Sequence, residues 1–186
     1  MIQTEGIFVG GSAISAPIIG EDFNWSGGDG TYQVLDDGGG NWRIKFLSSG
    51  TFTPLKNMVI DVFLVGGGGG AGSSYCGAGG AGYTTTVRSV VVAANTAYPI
   101  VVGAAGTQTY TVQSDGGTSS AFSAVANGGH HSVSGDKTWK KTGANGGSGG
   151  GGQYADGGTD GSDGATGDTA GGKGQGTTTR EFGEAD

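Results

Sequence analysis

"MVIDVFLVGGGGGAG", Met58 to Gly72, decides how this chain is read. Its first eight residues are apolar on both faces except at Asp61, the composition of a central β-strand covered on both sides. At Gly66 that composition stops and five consecutive glycines begin. Glycine loses more backbone freedom on folding than any other residue, at a cost of roughly 0.5–1 kcal/mol relative to alanine. Polyglycine directly after a core strand is therefore either a tether or a structure that only a hydrogen side chain permits.

Working outward, the flanking sequence is also β in character. In "NWRIKF", Trp42, Ile44 and Phe46 alternate with Arg43 and Lys45, the signature of a half-buried strand. "SSG" turns the chain into "TFTPL". "YTTTVRSVVV" is rich in β-branched residues, which suit a pleated sheet. "YPIVVG" is a further strand, with Pro99 marking an edge or a strand start. "TYQVLD" upstream and one or two short strands within residues 110–129 complete the set, and no segment has a 3.6-residue apolar period. These residues predict a mainly β fold: a β-sandwich-like, jelly-roll-like part carrying a glycine-rich extension. The expected organisation is a lead-in or attachment segment over 1–40, a β domain with the first glycine-rich loop over 41–127, and the glycine-rich extension over 128–186. The apolar run "IFVGGSAISAPII" suits the lead-in to docking.

Glycine supplies 45 of the 186 residues. From Gly143, glycine recurs at 146, 149, 152, 158, 161, 164, 167 and 176, and the small residues Gly67, Gly70, Ser73, Cys76, Gly79 and Gly82 are also three apart. A period of three is that of the polyproline II helix. Four readings compete. Glycine this dense produces regular phases by chance. A collagen triple helix also wants proline, which the stretch from Gly143 to Gly176 lacks. A flexible linker fits the composition, but little follows it to be linked. Packed polyglycine II helices can bond N–H to C=O between neighbours, at a net of about 0.5–1.5 kcal/mol per bond, and so offset the entropic cost without a hydrophobic core.

The net charge is −7 and charged residues make up only 13% of the chain. Apart from Lys137 and the Lys140–Lys141 pair the basic residues are scattered, which argues against nucleic acid or an anionic membrane as partner. No segment has the length and apolarity of a membrane span, so no membrane insertion is expected. The start "MIQTEGIFVGG" lacks the basic and apolar regions of a secretory signal, so synthesis in a cytoplasm is expected. Cys76 is the single cysteine and forms no intrachain disulfide.

Chemical motifs are weak. "GDTAGGKG", Gly167 to Gly174, has glycine where a P-loop needs a hydroxyl, with no strand before it or helix after it. "GGTDGSDGA" has the wrong offsets for a calcium-binding nonapeptide repeat. His130 and His131 lack the three or four ligands of a zinc site, and no Ser-His-Asp constellation or carboxylate pair is spaced for catalysis. We therefore expect no enzymatic activity, no metal and no cofactor. The residues suited to a partner are those in glycine-rich loops: Tyr75, His130, His131, Trp139, Lys140 and Tyr154. Exposed aromatic rings stack on sugars or anchor interfaces. The alternative for Trp139 is that it plugs a small core.

The ordered series "SGTFT", "IDVFLVGGGGGAG", "GGAGYTTT", "YPIVVGAAG", "DGGTSSAF", "ANGG", "GGTDGSDG" and "GQGTTTREFGE" resembles the glycine-rich domain of bacteriophage and prophage tail proteins. The likeness runs from about Ser49 to Glu184. In that pattern "TTTREFGE" is followed by more glycine-rich sequence, whereas this chain stops at Asp186. By analogy with adhesins at the fibre tips of some T-even-like phages, the resemblance implies polyglycine helices packed in a sandwich, with loops between them touching the host. The implied function is a tail-fibre or tail-tip protein, located in the virion and made in the bacterial host cytoplasm. It would bind a bacterial surface glycan or envelope protein during attachment. The implied partners are other tail proteins and further copies of the chain, with a trimer among the candidate homo-oligomers. The alternative is a purely structural tail component without receptor contact.

Overall fold

The computed structural model describes residues 6–12, 16–38, 40–72, 76–108, 112–132, 142–152 and 156–158. Ten strands follow one another along the chain: β1 (Gly6–Ser12), β2 (Phe23–Trp25), β3 (Tyr32–Gly38), β4 (Asn41–Phe46), β5 (Gly50–Pro54), β6 (Met58–Val65), β7 (Thr84–Val92), β8 (Tyr98–Val101), β9 (Ser119–Ala121) and β10 (Ala124–Ala126). They form two five-stranded sheets, ordered β3-β4-β1-β6-β7 and β10-β9-β8-β5-β2, and every pairing is antiparallel. Among the described residues there is no helix.

The sheets face each other across one core, a sandwich-like arrangement in which inward residues alternate with outward ones. Trp42, Ile44 and Phe46 of β4 are buried while Asn41 is exposed and Arg43 and Lys45 are half-buried, as the alternation requires. Phe46 meets Trp25 of the other sheet with ring centroids 4.5 Å apart and Phe52 at 5.8 Å. Ile60, Val62 and Leu64 of β6 line the same core. β6 is an interior strand, and Asp61 sits at a register irregularity between Ile60 and Val62. There its carboxylate accepts the backbone N–H of Ser89, whose φ is +58°, at 2.8 Å and pairs with Arg88 at 3.1 Å. Strands β1, β2 and β3 come from the first forty residues. β1 lies between β4 and β6, and β2 closes the other sheet beside β5.

The two-residue turn joining β9 to β10 holds Phe122 at φ +48° and Ser123 at φ +66°. Such a turn favours Asn-Gly, because other L residues pay about 1–2 kcal/mol in that region. The Phe122 ring has a reason to be there: it packs 5.2 Å from Tyr98 and 6.1 Å from Phe52. Ser123 is exposed and has no such compensation. Ser123→Gly is expected to raise stability by about 0.5–1 kcal/mol, read as a higher urea midpoint at unchanged slope.

Candidate functional site

Five described glycine segments leave the sandwich at one end. Residues 66–72 continue from β6, 76–82 lead into β7, 102–107 follow β8, 114–118 precede β9 and 127–132 follow β10. Ser119 pins this junction. Fully buried, it donates from Oγ to the Val65 carbonyl at 2.6 Å and accepts the Gly103 N–H at 2.9 Å.

Beyond the junction the segments bond to one another through their backbones with a step of three residues. Gly66 and Gly69 donate to Tyr83 and Gly80, whereas Gly67 and Gly70 donate to Gly117 and Ser114. Gly129 and Ser132 donate to Gly67 and Gly70, and Ala144 and Gly147 donate to Ala78 and Ala81. Segment 66–72 is thereby bonded to 76–82, 102–107, 114–118 and 127–132, where a β-strand would pair on two sides only. The pairings arrange the segments in two rows. One row runs 102–107, 66–72, 76–82, 148–152. The other runs 114–118, 127–132, 142–147, 156–158. Glycine is what allows this spacing. A Cβ at Gly80 would lie closer than 3.0 Å to the Asn145 carbonyl, and one at Gly69 would meet that of His130.

On this frame the structure brings His130 and His131 together around Asp115 of the neighbouring segment. Asp115 Oδ1 accepts the His131 backbone N–H at 2.8 Å and contacts His131 Nδ1 at 2.6 Å, while Oδ2 contacts His130 Nδ1 at 3.1 Å. An ionised carboxylate only accepts, so each Nδ1 carries a proton and each Nε2 is left for other contacts. The His131 backbone bond, then its ring bond, then His130, hold the Asp115 carboxyl at about 2. A carboxyl lowered in the folded state contributes stability above its unfolded value near 3.8, and that stability is lost as pH falls from about 4 towards 2. Asp115→Asn is therefore expected to lower stability at pH 7, with the difference from the parent vanishing as pH approaches 2 in a denaturation series.

Tyr75, Trp139, Lys140 and Tyr154 lie outside the described residues. The described residues that flank them in sequence are Gly72 and Cys76, Ser132 and Thr142, and Gly152 and Asp156. By the pairing register, these flanks lie at the end of the frame remote from the sandwich: Gly66 pairs with Tyr83 at the near end, and Ala78 pairs with Gly151 towards the far end. Asp115, which completes the histidine cluster, was not singled out in the sequence. It lies fifteen positions from His130 in an ordinary glycine turn, and only the pairing of Gly116 with Gly129 makes them neighbours.

Among the described residues no group of three or more His, Cys, Asp or Glu side chains could hold a metal ion, and no helix is long and apolar enough to cross a membrane. A shallow groove bordered by Val90, Val91, Tyr98, Pro99, Phe122 and Val125 holds no carboxylate, imidazole or thiol. The arrangement can present side chains.

No curated protein and no solved structure matches the chain at a significant level. A family model described as a glycine-rich domain matches residues 47–185, which takes in β5 to β10, the junction and every glycine segment. The chain belongs to the glycine-rich domain family.

Proposed function

We propose that this protein is a bacteriophage tail-fibre or tail-tip component that binds a bacterial surface receptor, a glycan or an envelope protein, by display and not by catalysis. The observation that carries the reading is the placement of the segment ends. The chain connections containing Tyr75, Trp139 with Lys140, and Tyr154 all depart from and return to the end of the frame farthest from the sandwich. The period-three bonding supports reading the frame as packed polyglycine II helices, rigid enough to hold such connections without a core. Weak contacts would be multiplied by copies on one virion. The resemblance of the ordered motifs to phage tail proteins supports the setting.

A second reading, a structural tail component without receptor contact, is favoured by the exposed valines of the sandwich. Val91 is 76% exposed and its cross-strand partner Val59 58%, apolar surface suited to burial against other tail proteins or further copies. The deciding experiment is binding of fluorescently labelled protein to a panel of bacterial strains, before and after enzymatic removal of surface glycans. Strain-selective binding is expected. Uniform absence of binding by folded protein would select the structural reading.

A further inference from the structure

The two rows of the frame turn different chemistry outward. On the first, the outward positions are small apart from Thr107, whose hydroxyl contacts that of Ser114: Ala78, Ala81, Ala104 and Ala105 are exposed, and a Cβ at Gly68 would meet nothing closer than 3.8 Å. On the second, Asp115, Thr118, Asn127, His130, Thr142 and Asn145 are all exposed. Within each segment these exposed positions are three residues apart: 115 and 118, 127 and 130, 142 and 145. Across segments they fall into rows. The Asp115 carboxylate contacts His130, whose backbone N–H donates to the Asn145 carbonyl at 2.9 Å. Thr118 is level with Asn127 by the same register that pairs Gly116 with Gly129.

We propose that this polar face, and not only the far end of the frame, binds a neutral polyhydroxylated chain, an oligosaccharide of the bacterial surface. The inference rests on the attachment reading above. Its chemistry selects the ligand. The four segments of this row contain no lysine or arginine and two carboxylates, Asp115 and Asp156, so nothing recruits an anionic polymer. They contain no large apolar or aromatic side chain outside His130 and His131, so a protein partner would find no central anchor. What they offer is a grid of amide, hydroxyl and imidazole groups repeating about every 9 Å along each segment, the advance of three residues at about 3.1 Å each. The backbone bonds fix that grid before binding, so little ordering cost opposes it. The side chains of Thr118 and Asn127 have no hydrogen-bond partner among the described residues.

The test uses the full chain and immobilised bacterial polysaccharides, one set with neutral and one with acidic repeats, alongside whole cells. Three proteins are compared: the parent, Thr118→Ala/Asn127→Ala on the polar face, and Ala78→Ser/Ala81→Ser on the small face. The parent is expected to bind neutral polysaccharide, the polar-face variant about tenfold more weakly with its melting temperature unchanged, and the small-face variant like the parent. Equal binding by all three, on cells and on polysaccharide, would overturn the face assignment and leave attachment standing. Cell binding abolished by protease treatment and indifferent to polysaccharide would make the partner a protein and also overturn it. A parent that binds neither cells nor polysaccharide would overturn the attachment reading itself.

Discussion

Gly80→Ala is expected to disrupt the glycine frame and Gly68→Ala to leave it intact, although each adds one methyl group. Gly80 is buried. It donates its N–H to the His130 carbonyl at 2.9 Å and accepts the Gly69 N–H at 2.8 Å, and its missing Cβ would fall closer than 3.0 Å to backbone atoms of Asn145 and Gly146. Backbone cannot swing aside as a long side chain can, so the segments must separate. Stranding two or more buried groups, at about 1–3 kcal/mol each, predicts a loss of about 2–6 kcal/mol and a melting temperature lower by roughly 5–15 °C. At Gly68 the nearest atom, the Gly80 carbonyl oxygen, is an ordinary 3.8 Å away. Alanine there also restricts the unfolded chain, so its expected effect is neutral or a gain of about 0.4–1 kcal/mol. A linker would respond to neither substitution.

Ser119→Ala carries the second large effect. The hydroxyl is the bond between the end of β6, the start of β9 and the first glycine segment after β8. Its removal leaves the Val65 carbonyl and the Gly103 N–H without that partner beside a fully buried position. The expected cost is about 2–4 kcal/mol in urea denaturation. Ser120→Ala, one residue on and facing the other side of the strand, is expected to change stability by less than about 0.5 kcal/mol. Equal effects at both positions would remove the junction from the account.

The sandwich was largely legible in the sequence because its strands are half-buried and write that burial as alternation. "NWRIKF" shows it at every position, and "MVIDVFLV" reads as an interior strand because both faces are apolar. The strand Gly6–Ser12 was not legible as a centre strand: "GIFVGGS" carries three glycines in seven residues, and its place between β4 and β6 is set by long-range pairing. The glycine phase was legible as a period. Its meaning was not, since nothing local tells Gly68, which faces outward, from Gly69, which faces the His130 carbonyl. The site divided in the same way. His130 and His131 stood out as residue types, whereas Asp115, Thr118, Asn127 and Asn145 acquire a role only once the pairing aligns their segments.

The most direct test of the central claim, an ordered backbone-bonded glycine frame that displays side chains, is amide hydrogen exchange resolved at single glycines. The expected result is strong protection at Gly66, Gly67, Gly69, Gly80 and Gly129, whose N–H groups are bonded to neighbouring segments at 2.8–2.9 Å. Exchange at those amides as fast as in an unfolded peptide, with β4 and β6 still protected, would contradict it and return the glycine segments to the status of tethers.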